Sequence, residues 1–233
     1  MRQLISLGPL GKLFFAGETQ CGFTNGGFHF SGSRIRLLMA ATDLVKIATW
    51  LNMTDNEIEF LMCARSQSLY TEKTLLLYQP LFFPQMNSVF GTNRGDIDSF
   101  TQFINRLTPE EKENAIVWAH SHPKSNIELQ WSHKDLTTIY ERKGGFKISI
   151  IFVMPVPQLI LYRCRFDLYE PFHICQDFLP IFIEPLKPSE KDVGWDQIIQ
   201  EAKEVFTQNY QDVPLPAIRG LDDEEWWSDW WDD

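Results

Sequence analysis

Apolar residues in this chain follow two different spacings, and the alternation between them lays out the elements. Residues 35–40 form a short apolar run of strand length. Thr42-Asp43 then opens a stretch in which Leu44, Ile47, Ala48 and Leu51 recur at helical spacing, predicting a helix over 42–52 with Thr42 as its N-cap. Residues 57–64 and 75–78 read as two neighbouring strands. Pro80 and Pro84 bracket a loop continuing through 87–93, and Asp96 or Asp98 starts a helix carrying Ile97, Phe100, Phe103, Ile104 and Leu107. A buried strand is expected at 115–119 and a helix from Ser132 as N-cap to about Arg142, stopped by Gly144-Gly145. Two strands, 147–154 and 158–165, follow around Pro155-Val156-Pro157. This order suits an α/β sandwich with a mixed central sheet flanked by helices.

The flanks differ in texture. Residues 1–34 scatter glycines between short aromatic runs such as Leu13-Phe14-Phe15 and Phe28-His29-Phe30, which predicts an N-terminal β-hairpin extension with His29 as a packing residue. After the main domain at 35–185, residues 186–221 read as a linker and a helix from about Trp195 to Tyr210. Residues 222–233 form an acidic tail in which seven acids interleave with four tryptophans. Such a segment builds no core of its own. Its indoles favour a docking role, toward a separate protein with a positive patch.

Charge and cysteine usage narrow the classes. The net charge is −10, and without the tail's seven acids the body carries only about −3. No basic stripe exists to neutralise phosphates, so nucleic acid is not an expected partner. No run reaches the ~18–20 apolar residues of a membrane span, and residues 1–5 lack a signal-peptide pattern. Four scattered cysteines (Cys21, Cys63, Cys164, Cys175) with no CxxC pair fit reduced thiols and a cytoplasmic location.

The chemistry concentrates at His120-Ser121-His122-Pro123, followed by Ser132-His133-Lys134-Asp135. Histidines two apart on extended backbone point to one face. A carboxylate from the following loop can join them, and two imidazoles plus one carboxylate suit a Zn²⁺ whose fourth position is left for water. Glu128, His133 and Asp135 all lie where a third ligand is needed.

This HxHP…SxxD constellation resembles the JAMM/MPN (JAB-type) zinc metalloproteases, and in particular their prokaryotic-type ubiquitin-like isopeptidases. The resemblance spans residues 35–165. It implies an MPN/JAB-like (cytidine-deaminase-like) fold, Zn²⁺ as cofactor, and hydrolysis of the bond following ubiquitin or a ubiquitin-like protein. It also selects Asp135 as third ligand beside His120 and His122. Twelve residues separate His122 from Asp135, two more than the family's usual ten. A loop extension of that size is thermodynamically cheap.

The same resemblance implies a general base upstream and an oxyanion donor at the serine. Glu57 is the first candidate base and Glu59, two residues on, the runner-up. The glycines that commonly follow the family's Glu are replaced here by Phe60 and Ala64. Ser132 is the oxyanion donor, a role to be reconciled with capping the helix, and Trp131 is expected to pack. The leading expectation is a zinc isopeptidase acting on a ubiquitin-like conjugate or precursor. A non-catalytic MPN-like scaffold subunit and a zinc peptidase for small peptides are the alternatives.

Overall fold

The computed structural model describes residues 2–6, 12–17, 35–67, 74–88, 91–93, 97–141, 146–168, 174–184 and 194–212. The chain is a mixed α/β protein built on one large sheet. Its strands are β1 (Arg2–Ser6), β2 (Lys12–Gly17), β3 (Arg36–Ala40), β4 (Glu59–Gln67), β5 (Thr74–Leu81), β8 (Val117–Ser121), β9 (Ile148–Val156), β10 (Leu159–Leu168), β11 (Ile174–Asp177) and β12 (Ile181–Glu184). Among the described residues they run in the order β1-β2-β10-β9-β8-β4-β5-β3-β12, with β11 paired to β10. A small second sheet joins β13 (Tyr210–Asp212), β6 (Gln85–Ser88) and β7 (Gly91–Asn93).

The two faces of the sheet are covered differently. One face wraps α1 (Ala41–Met53), which buries Leu44, Val45, Ile47, Trp50 and Leu51, and α5 (Trp195–Asn209) packs behind it through Ala202 and Phe206. A run of aromatic contacts crosses this core. Phe60 stacks on Phe152, Trp50 meets the edge of Phe60 at 5.5 Å, Phe82 lies 4.9 Å from Trp50, and Phe206 lies 5.2 Å from Phe82. The buried Trp50 indole N–H donates to the Ala202 carbonyl at 2.9 Å, which ties the two helices together. On the other face Leu61, Cys63, Phe83 and Trp118 pack under Phe100 and Phe103 of α2 (Ile97–Arg106), beside α3 (Pro109–Asn114) and α4 (His133–Glu141).

The sheet curls until its two ends nearly meet. The Gln3 side chain on β1 donates to the Ile181 carbonyl at 2.7 Å and accepts the Ile183 N–H at 3.0 Å, standing in for a missing strand neighbour along β12. The Tyr162 hydroxyl reaches the same strand, accepting the Ile181 N–H at 2.8 Å. The Tyr162 ring, stacked on Phe15, presses against Gly17 so closely that a Cβ there would sit 2.5 Å from it. The expected N-terminal hairpin therefore continues the main sheet, because β2 pairs in parallel with β10.

Several expectations shift. Helix α1 starts one residue early, at Ala41, with Ala40 as its N-cap and no side-chain cap, so Thr42 does not cap it. The strand placed at 57–64 begins at Glu59 and that at 115–119 begins at Val117, which leaves Glu57 just before its strand and brings His120 and Ser121 inside theirs. The loop expected after Pro80 instead holds β6 and β7. Both are short and polar, and β6 is ordered by pairing with the distant β13, which local periodicity cannot show. The linker at 186–192, His29 and the acidic tail lie outside the described residues. Among the described residues, no helix is long and apolar enough to cross a membrane.

Trp50 is enclosed between the sheet and the two helices. Trp50→Ala should lower unfolding free energy by roughly 3–5 kcal/mol, as for other buried large-to-small changes, read as a shifted midpoint in urea titration.

Candidate metal centre

Strand topology brings the site together. β8 runs parallel to β9 and is joined to it through α4, a strand–helix–strand crossover that brings the start of α4 to the carboxyl end of β8. Both faces of β8 are covered, so all five of its residues are buried. Alternation sends Val117 and Ala119 into the main core, while Trp118 and His120 face the α2–α4 side. β4 pairs antiparallel with β8 in a register that sets Glu59 opposite His120, so residues 57–59 come to the same end of the strand.

Helix α4 begins beside the two histidines, and its cap is reciprocal. The Asp135 N–H donates to Ser132 Oγ at 3.1 Å, and the Ser132 N–H donates to Asp135 Oδ2 at 2.7 Å, a capping box with aspartate in the third helical position. The Ser132 carbonyl accepts the first helical bond, from Leu136. Ser132 is thus the expected N-cap. The box uses its oxygen lone pairs and leaves the hydroxyl hydrogen for another acceptor.

The box turns Asp135 toward the histidines. Its Oδ1 lies 3.3 Å from His120 Nε2 and its Oδ2 lies 3.8 Å from His122 Nε2. Ligand atoms from these three residues all lie within 4.8 Å of one another, so the group could hold a metal ion. His120 is 1% exposed, and neither of its ring nitrogens has a hydrogen-bond partner among the described residues. A buried imidazole in that state costs free energy, and a cation between the three side chains would offset it. Trp118 stacks on the His120 ring at 4.5 Å and fixes its plane. His122 Nδ1 lies 2.7 Å from the Glu128 carbonyl; as the N–H tautomer it donates there and presents Nε2 to Asp135.

Electrostatics agree with this placement. Burial opposes ionisation of Asp135, but His120, His122 and the Ser132 N–H together hold it well below the usual carboxylate range. Burial likewise disfavours the charged form of His120, yet Asp135, Glu57 and Glu59 outweigh it and raise that imidazole above the usual histidine value. For Glu57 burial dominates and pushes the carboxyl up, with His120 pulling back and Asp135 adding to the rise.

The remaining predicted residues separate clearly. Glu57 lies within electrostatic reach of all three ligands. Its carbonyl accepts a bond from Asn87, while Ile58 exchanges two bonds with Ser121 (Ile58 N–H to Ser121 Oγ at 3.0 Å, Ser121 N–H to the Ile58 carbonyl at 2.8 Å). Glu59 is engaged elsewhere. Its carboxylate accepts the Trp118 indole N–H, and its backbone is held on both sides by the Gln85 amide. Glu128 contributes its carbonyl, and its side chain is exposed along with that of His133. Trp131 packs, as expected, against Leu129, Ile151 and Val153. Sequence reasoning missed Ser121, Gln85, Asn87 and Trp118. Only Ser121 and Trp118 carried a signal, since strand alternation from the two histidines assigns each of them a face.

Comparison of the chain with known proteins finds no matching family model and no similar curated protein.

His120→Ala, His122→Ala or Asp135→Ala should each abolish or sharply weaken binding of one Co²⁺ per chain, measured by titration of its visible absorption. Protons compete with the metal for the imidazoles, and Asp135, Glu57 and Glu59 raise His120 above the usual histidine value. Affinity should therefore climb as pH rises through the raised His120 value, and level off above it. Undiminished stoichiometric binding in all three variants would place the metal elsewhere.

Proposed function

We propose that this chain is a zinc-dependent isopeptidase of the JAMM/MPN type, cleaving ubiquitin or a ubiquitin-like protein from a conjugate or precursor. The observation carrying this reading is the buried His120 imidazole facing Asp135 and His122, with Ser132 at the start of the adjoining helix and the raised Glu57 carboxyl beside the ligands. Two neutral nitrogens and one carboxylate form a donor set suited to Zn²⁺, and three protein ligands are what a hydrolytic rather than a structural site supplies.

Zn²⁺ bound there would supply a more acidic water and a polarised scissile carbonyl. The chain's own residues do the remaining work. Glu57 takes the proton of the attacking water and delivers it to the leaving amine nitrogen. Its raised pKa suits a group that must accept and then release a proton. The Glu59 carboxylate accepts the Trp118 indole N–H and so holds the indole against His120, which favours Glu57 over Glu59 in that role. Ser132 donates its hydroxyl hydrogen to the developing oxyanion while its lone pairs remain in the helix cap. Asn87, Ser121 and Gln85 hold the backbone from the Glu57 carbonyl through Glu59, which supports a well-positioned base.

Glu57→Gln should keep full zinc content and lose hydrolysis of a ubiquitin-like fusion, because the amide cannot accept the proton. Ser132→Ala should keep zinc and lower turnover by about 10²–10³, the scale of a lost oxyanion donor. Zinc without hydrolysis in the wild-type chain, across several ubiquitin-like substrates, would instead assign it to a scaffold. An active Glu57→Gln beside an inactive Glu59→Gln would move the base by two residues.

The acidic tail fits the same reading as a docking segment for a separate, positively charged protein. Deleting 222–233 should leave folding and zinc content unchanged and weaken that association, increasingly so at low salt, where the wild-type contact is strongest. Pull-down partners and activity unaffected by the deletion would leave the tail with no docking role.

A further inference from the structure

The loop between His122 and Ser132 has no helix or strand of its own, yet it must deliver both His122 and the start of α4 to one point. What holds it is a guanidinium from the sheet beneath. Arg163 on β10 donates from Nη1 to the Leu129 carbonyl at 3.1 Å. Its other edge forks onto Asp177 at the end of β11, Nε to Oδ1 at 3.1 Å and Nη2 to Oδ2 at 2.7 Å. Asp177 Oδ2 also accepts the Trp131 indole N–H at 3.3 Å, and Oδ1 accepts the Phe178 N–H at 2.8 Å. The guanidinium lies over the Phe178 ring, 4.3 Å from its centroid. One ion pair thereby grips the loop at Leu129 and at Trp131.

Leu129 directly follows Glu128, whose carbonyl faces His122 Nδ1. The Leu129 side chain is buried against Ile151 and Val153, so the backbone at 128–129 is held from both sides. We propose that Arg163 and Asp177 are positioning residues for the metal centre. They fix the Glu128 carbonyl, and through it the tautomer and orientation of the His122 ring. With the clamp in place Nδ1 keeps its proton on Glu128 and Nε2 offers its lone pair toward Asp135. Without it, the Glu128 carbonyl turns to water, the ring samples both tautomers, and the ligand set loses its preorganisation. An Arg is required because one planar fork must serve a bidentate carboxylate and a carbonyl together; a Lys ammonium cannot reach all three oxygens in that geometry. The clamp also explains how a loop longer than the family's usual spacing still closes on the site.

This role for the clamp rests on the metal reading of His120, His122 and Asp135, and the following experiment separates the two. Zn²⁺ affinity would be measured by competition with a chromophoric chelator for the wild type, Arg163→Gln, Arg163→Lys, Asp177→Asn and, as a control on the same loop, the exposed His133→Ala. Circular dichroism and thermal melting check folding of each. In parallel, ¹⁵N NMR of the His122 imidazole in the metal-free protein reads its tautomer without any metal. Arg163→Gln and Asp177→Asn should fold, weaken zinc by about 10–100-fold, the usual effect of losing an outer partner of a ligand, and shift His122 from one tautomer to a mixture. Arg163→Lys should not restore either property, and His133→Ala should change neither. Wild-type affinity and an unchanged His122 tautomer in folded Arg163→Gln would overturn the clamp while leaving the metal site standing. A wild-type chain that binds no zinc would overturn both.

Discussion

The Asp135 carboxylate is the constraint on which the rest of the site depends. One of its oxygens accepts the Ser132 N–H and thereby fixes where α4 begins, and the two oxygens together face both histidines of β8 and the turn after it. One side chain thus serves the helix cap and completes the group that could hold a metal ion. Successive helical residues differ by about 100° in direction, so a cap displaced by one residue would carry the carboxylate away from the imidazoles. The Ser132–Asp135 spacing is consequently as important as the spacing of the two histidines. It also explains why His133, between them in sequence, plays no part in the centre.

Several polar groups beside the histidines are committed in pairs. Glu59 holds Trp118, Gln85 holds the backbone of Glu59, Asn87 holds the carbonyl of Glu57, and Ser121 holds Ile58. Each of these would cost on the order of 1–3 kcal/mol if left unmatched in the interior. His120 differs in that it lies against the Asp135 carboxylate with neither ring nitrogen in a hydrogen bond among the described residues, and its neighbours carry excess negative charge. An imidazole so placed, with His122 and Asp135 beside it, could hold a metal ion.

The remainder of the fold serves to hold that end of β8 still. β8 sits in the interior of the sheet between β4 and β9, with α1 on one face and α2 to α4 on the other. The curl of the sheet is closed by side chains where strand pairing stops, through Gln3 and Tyr162 on β12. The loop that follows His122 is tied to β10 and β11 by Arg163 and Asp177, so it is anchored in the same sheet as β8.

Much of this is legible locally. Strand alternation places the two histidines on one face, helical spacing finds α1, α2, α4 and α5, and the Ser132 cap is readable because caps are decided within four residues. The different surroundings of Glu57 and Glu59 are not, since they depend on the β4–β8 register and on an indole arriving from another strand. β6 and β7 read as loop because their order comes from β13, more than a hundred residues away. Arg163 and Asp177 have no signature at all: an arginine and an aspartate on neighbouring strands are ordinary surface residues until a loop is laid across them. The sequence by itself determined that His120 and His122 share a face and that Glu128, His133 or Asp135 could join them, since that follows from side-chain chemistry and short-range geometry; the tertiary structure brings Asp135 to them. Only the tertiary structure decided which glutamate is tied to an indole and what holds the loop in place, because both are set by contacts between segments distant in the chain.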